Sequence, residues 1–191
     1  MEKKSDLNII DSVLSGNANA YAGLVDKYKD MAFTVAVRIL RNAEEAEEIA
    51  QDAFLSAFRS LRDFKKDSNF GTWLYRIVYN AAISKLRKRK DFEVSLEKPH
   101  LENLDTAELN AGLEKMEQDE KIRYIREALT KLPEEESSLL TLFYLNENSV
   151  KEIAEITGIS HSNVKVKLFR ARKHLFGELY KLLKNELHNL A

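Results

Sequence analysis

Ser149-Val-Lys-Glu-Ile-Ala-Glu-Ile-Thr-Gly-Ile-Ser-His-Ser-Asn-Val-Lys-Val-Lys-Leu-Phe-Arg-Ala-Arg172 decides the fold. The stretch reads as two helices joined by a tight turn. Ile153, Ala154 and Ile156 supply the apolar face of the first helix, and the small Ala154 lets the second helix cross closely. Gly158 permits the turn, Ile159 is its buried residue and Ser160 caps the helix that follows. Val164 and Leu168, one turn apart, hold that helix to a core. The opposite face carries His161, Ser162, Asn163, Lys165, Lys167, Phe169, Arg170 and Lys173, side chains able to reach base edges and phosphates in a major groove. A helical hairpin with a solvated basic face is the bland alternative. The turn chemistry combined with the charge bias favours DNA.

The same helical periodicity extends through the rest of the chain, and no strand alternation or internal repeat is visible. Leu7, Ile10, Val13 and Leu14 form a stripe that stops near Gly16. Asn17 or Asn19 can cap the next helix, which carries Leu24, Val25, Tyr28, Phe33, Val37 and Leu40. Asn42 caps a third, with Glu44 and Glu45 favourably placed in its first turn and Ile49, Ala53, Phe54, Ala57, Phe58 and Leu61 along its apolar side. A polar loop, Asp63 to Asn69, precedes a fourth helix from about Phe70 to Lys90. Beyond a weakly periodic stretch, helices are expected from about Lys121, after Pro133, over Val150 to Thr157 and over Ser160 to Leu187. The fold class is therefore all-α: a four-helix unit (1–92), a linker (93–120) and a helix-turn-helix unit (121–191).

The formal charge of −1 conceals a pattern. Arg76 to Lys90 carries six bases and no acid, Asp91 to Glu120 ten acids against two lysines, and Ser160 to Lys184 seven bases against Glu178 alone. Two basic blocks flanking an acidic one suit a nucleic-acid partner better than the mean suggests. There is no cysteine, hence no disulfide, thiolate zinc site or thiol switch. No apolar run approaches a bilayer span and no signal-peptide core is present, so the expected location is the cytoplasm, without membrane insertion. The acids between Glu44 and Asp52 lack the Glu-x-x-His partner of a helical metal site, the histidines lack ligand spacing, and no phosphate-cradling Gly-x-x-x-x-Gly-Lys loop occurs. No metal, cofactor or catalytic residue is expected.

In the first unit, Ala46-Glu-Glu-Ile-Ala-Gln-Asp-Ala-Phe-Leu-Ser-Ala-Phe-Arg-Ser-Leu61 resembles region 2.2 of the sigma-70 family, and Phe70-Gly-Thr-Trp-Leu-Tyr-Arg-Ile-Val-Tyr-Asn80 resembles its regions 2.3 and 2.4. Glu152 to Ala154 and Val164 to Leu175 resemble region 4, in the form used by the small extracytoplasmic-function (ECF) group. The resemblance covers the chain apart from the linker. It implies a subunit that carries core RNA polymerase to promoters, binding its beta and beta-prime subunits, and helps open the DNA, with an anti-sigma factor as a further candidate partner. It assigns Glu48, Gln51, Asp52 and Leu55 to the polymerase clamp. The outward face of 161–173 falls to the −35 element. Phe64, Lys65, Lys66, Ser68, Asn69, Phe70, Trp73, Arg76, Asn80, Lys85 and Arg87 fall to −10 recognition and melting, where the loop 63–69 forms a pocket for a flipped base. Asn163, Val166 and Ser84 depart from residues frequent in the family, and Asp91 interrupts its basic run, so a promoter sequence does not transfer.

Two other classes compete. An ordinary helix-turn-helix regulator would bind a palindrome as a dimer without polymerase, but it leaves the basic-aromatic block Phe64 to Lys90 unexplained. A helical metal hydrolase lacks ligands.

Overall fold

The computed structural model describes residues 2–90 and 117–189, and side chains over 5–89 and 117–184. Eight α-helices account for the described chain: α1 Glu2–Leu14, α2 Ala22–Leu40, α3 Ala43–Arg59, α4 Phe70–Lys90, α5 Gln118–Lys131, α6 Glu134–Tyr144, α7 Val150–Thr157 and α8 His161–Asn189. Short 3-10 turns at Ala18–Tyr21 and Leu61–Asp63 precede α2 and α4. Among the described residues no strand occurs, in line with the all-α expectation. The expected linker begins beyond the described part of the first unit, and its last residues already belong to α5.

Local chemistry accounts for the boundaries. Gly16 turns the chain after α1 at φ +112°. Asn17 leads into the 3-10 turn without a side-chain cap, so neither asparagine caps as expected, and α2 begins only at Ala22. Arg41 ends α2 in the left-handed conformation, its N–H donating to the Val37 carbonyl. Asn42 caps α3 as read from sequence, its Oδ1 accepting from the Glu45 N–H at 2.9 Å. Pro133 immediately precedes α6, where its missing N–H costs no helical hydrogen bond.

In α3 the buried residues Ala46, Ile49, Ala50, Ala53, Phe54 and Ala57 fall on one helical stripe, so Phe58, expected on that stripe, sits at its margin. The first unit closes around this stripe, α2 and the inner face of α4 (Phe70, Leu74, Tyr75, Val78, Tyr79, Ala82, Leu86). Helix α1 is tied on by Asp6, which is buried and accepts from Lys27 Nζ at 2.7 Å and Tyr28 Oη at 2.5 Å.

The interior does not stop at the end of this unit. Leu132, Leu139, Leu140, Leu142, Ile153, Ile156, Val164 and Leu168 belong to the same buried cluster as the first unit's core. Helix α6 is buried from Ser137 to Leu142 on every side, because α2 packs against one flank and α8 against the other. Each of those leucines contributes about 1.5–3 kcal/mol of burial. Helix α7 lies on α4. A smaller cluster, Tyr124, Ala128, Leu179 and Leu183, joins α5 to the far end of α8.

Candidate nucleic-acid interface

The helix-turn-helix is fixed by three local devices. Ser149 and Glu152 form a reciprocal capping box at the start of α7: the Glu152 carboxylate accepts from the Ser149 N–H at 2.9 Å, and Ser149 Oγ accepts from the Glu152 N–H at 3.2 Å. Gly158 takes φ +72° and ψ 7°, ending α7 with its N–H on the Ala154 carbonyl. Ser160 begins α8, its Oγ accepting from the Asn163 N–H at 3.4 Å. Val164, Leu168 and Ala171 then face inward, as expected of the first two, while Ile159 in the turn is only half-buried.

This leaves His161, Ser162, Asn163, Lys165, Phe169, Arg170 and Lys173 exposed on the outer face of α8, with Phe169 67% accessible. Lys167 differs from its neighbours: it is half-buried and its ammonium lies 2.9 Å from a Glu135 oxygen on α6. Arg172, which sequence reasoning passed over, also turns back, donating to Tyr144 Oη at 2.8 Å and lying over the rings of Phe143 and Tyr144.

On α4, Arg76, Asn80, Ser84 and Arg87 form an exposed stripe at helical spacing. The aromatic residues of this region pack among themselves. Phe64, Phe70, Tyr75 and Tyr79 are buried. Phe64 and Phe70 lie 6.0 Å apart edge-to-face, and Trp73, half-buried, leans on both. The apolar area of these rings gains more from mutual burial than from water, so in this conformation Phe64 and Phe70 do not turn their faces to solvent. Burial pushes the Tyr79 hydroxyl up to about 12, with the Glu135 carboxylate adding to the effect across from α6.

In the loop, Lys65 is exposed, Ser68 is half-buried, and Lys66, at φ +62°, pairs with Asp11 at 2.7 Å. Asn69 Nδ2 and the buried Thr72 Oγ1 both donate to one Glu152 oxygen, at 3.2 and 3.3 Å. Glu152 therefore serves α7 as a cap and the first unit as an acceptor. Partial burial works to raise its carboxyl, but the hydrogen bonds from Ser149, Thr72 and Asn69 outweigh that and hold it below its usual range.

The acidic side of α3 presents Glu48, Gln51, Asp52 and Leu55 to solvent, Leu55 at 54% exposure. Beside it an apolar cavity of about 810 Å³ opens between α3 and the start of α2, lined by Tyr21, Val25, Phe54, Leu55 and Phe58 among others. Buried Tyr21 anchors its floor by donating to the Phe54 carbonyl at 2.9 Å. Lys85 belongs to this side as well as to α4. Its ammonium is 2.5 Å from Glu48, and that hydrogen bond holds the lysine charged above its usual range. Arg89 follows one turn on, 3.7 Å from Glu45. Among the described residues, no cluster of histidine and carboxylate side chains is arranged to hold a metal, and no helix is long and apolar enough to cross a membrane.

Comparison with known proteins gives two family matches: Sigma-70 region 2 over residues 24–92 and Sigma-70, region 4 over 122–175. The ECF RNA polymerase sigma factor SigW of Bacillus subtilis (strain 168) is 34% identical over 176 residues, covering 89% of this chain and 94% of that protein. The RNA polymerase sigma-H factor of Pseudomonas aeruginosa is 30% identical over 190 residues, covering 96% and 98%. Among solved structures, the sigma factor RpoE of Bartonella quintana, in complex with the anti-sigma factor NepR, matches with a TM-score of 0.64 at 21% identity, covering 84% of this chain and 96% of that one. CnrH, in complex with the cytosolic domain of CnrY, matches at 0.61 and 24%, covering 93% and 96%. Both likenesses bear on the fold alone.

Proposed function

This chain belongs to the extracytoplasmic-function group of the sigma-70 family of RNA polymerase sigma factors, and from that premise we propose how its residues divide the work of initiation. The acidic face of α3 (Glu48, Gln51, Asp52, Leu55) takes the polymerase clamp. The outer face of α8 takes the −35 duplex through Lys165, Arg170 and Lys173, with His161, Ser162, Asn163 and Phe169 toward the bases. The exposed stripe of α4 takes the −10 strand, Asn80 reading a base while Arg76 and Arg87 meet phosphates. Residues 1–92 and 121–191 are the two working domains, and the protein acts in the cytoplasm.

The observation that carries this reading is the segregation of charge on the folded surface: Arg76 and Arg87 on α4 and Lys165, Arg170 and Lys173 on α8 are exposed, while α3 exposes the carboxylates of Glu48, which is joined to Lys85, and Asp52. Melting must overcome stacking of about 1.4 kcal/mol per base-pair step. With no nucleotide-hydrolysing loop in the sequence, opening is driven by capture of the unpaired strand, and the reading assigns the chain no catalytic step of its own. An anti-sigma factor is a further candidate partner under this reading, since the sigma factor RpoE of Bartonella quintana, which shares the fold, was solved in complex with the anti-sigma factor NepR.

The test is a charge reversal at Glu48 and Asp52 together. Co-migration with purified core polymerase should be lost while helicity is unchanged. Persistence of the complex would show that α3 is not the clamp face.

A further inference from the structure

The two basic faces must act at separate promoter elements, yet in this structure the helix-turn-helix sits against the very loop and helix assigned to the −10 strand. The contact is polar as well as apolar. One Glu152 oxygen takes the Asn69 amide and the Thr72 hydroxyl, while the other carboxylate oxygen is engaged by Ser149. At the opposite end of the seam the Arg41 guanidinium donates to the Leu132 carbonyl and lies 4.0 Å from Glu134. An anionic acceptor held by an amide and a hydroxyl at the mouth of a nucleic-acid loop offers what a base carbonyl or a phosphate oxygen would offer there.

We propose that Glu152 is an intramolecular latch: its carboxylate stands in for the promoter strand at Asn69 and Thr72, keeping the free chain closed and the loop end of the −10 surface occupied, with Arg76, Asn80 and Arg87 left exposed, until the helix-turn-helix is drawn away. The inference rests on the strand-binding reading of α4 and adds a mechanism that regulates it. The latch residue also caps α7, so closure and the integrity of the helix-turn-helix share one side chain. Glu152→Gln separates the two functions, because glutamine still serves a capping box but brings no charge to Asn69 and Thr72.

The chain contains no cysteine, so Asn8→Cys and Lys184→Cys, both at exposed positions of the two units, place a donor and an acceptor dye on the full chain without competing thiols. Single-molecule energy transfer of the free protein should show one closed population. Glu152→Gln and Thr72→Val should each raise the open population by roughly five-fold, the effect of weakening a hydrogen bond to a charged group. Ser149→Ala, which breaks the cap but leaves the latch donors in place, should not. In parallel, binding of a fluorescein-labelled pool of random single-stranded 12-mers should strengthen by a similar factor for Glu152→Gln. An open population that responds to Ser149→Ala but not to Glu152→Gln, or a free chain that is open from the start, would overturn the latch. Opening without any gain in strand binding would overturn the occlusion. Core polymerase takes no part in these measurements, so loss of clamp binding, if found separately, would count against the functional reading alone.

Discussion

Replacing Gly158 by alanine isolates the conformational cost of the turn on which the recognition helix depends. Gly158 sits at φ +72°, and a Cβ built there meets nothing within 4 Å. No steric term enters, and the N–H bond to Ala154 survives. What remains is the penalty for an L-residue in the left-handed region, about 1–2 kcal/mol. Asparagine, which visits that region more readily, should cost less than half as much. With a urea slope of about 2 kcal/mol/M, the alanine variant should lower the unfolding midpoint by about 0.5–1 M. Asparagine should fall in between. The order glycine, asparagine, alanine is the diagnostic result, followed by equilibrium urea unfolding monitored by far-UV circular dichroism. Alanine within about 0.1 M of the parent midpoint, or asparagine worse than alanine, would refute the reasoning.

Three further outcomes follow from the geometry. Arg170→Ala should weaken −35 duplex binding by about 1–3 kcal/mol if it meets a base, whereas Lys167→Ala, whose ammonium is engaged by Glu135, should lose much less in the same fluorescence-anisotropy titration; equal losses would mean that the pair opens on DNA. Gly71→Ala should destabilise despite the better helix former, because its Cβ would lie 2.9 Å from the Tyr28 ring, itself fixed to Asp6 through its hydroxyl; overpacking of about 1–3 kcal/mol exceeds the helical gain of about 1 kcal/mol, and a raised unfolding midpoint would contradict this. Finally, Glu152 has its carboxyl held below the ordinary 4.5, so its contribution to stability is fully present above that value and is lost as pH falls through the lower folded value. Urea midpoints of the parent and Glu152→Gln should therefore converge on acidification, and a gap that widens would reverse the sign.

The elements were legible because their signals are local. Asn42, Pro133, Gly158 and Ser160 mark helix ends by chemistry that acts within one turn, and the α8 core positions Val164 and Leu168 follow from periodicity alone. The capping box at Ser149 and Glu152 was equally readable from its spacing. Asn17 and Asn19 misled because a 3-10 turn intervenes before α2. The site residues were less legible for a different reason. Phe64 and Phe70 are aromatic residues beside lysines whether they stack on bases or on one another, and only the packing against Trp73 distinguishes the two. Lys85 and Lys167 look like free cations in sequence; their carboxylate partners, Glu48 and Glu135, lie on other helices. Continuity of the two units through α6 and the second role of Glu152 depend on contacts between residues some eighty positions apart, which no pattern within one helix encodes.

The central proposal is that this chain gives core polymerase its choice of promoter. Purified core enzyme, the chain and a pool of duplexes with randomised upstream sequence provide the direct test, with run-off transcripts sequenced to identify the templates used. Transcripts are expected only when both proteins are present, from templates sharing two separated elements, with Arg170→Ala relaxing selection at the upstream element and Asn80→Ala at the downstream one. Enrichment of a palindrome by the chain alone, with no effect on what core polymerase transcribes, would contradict it.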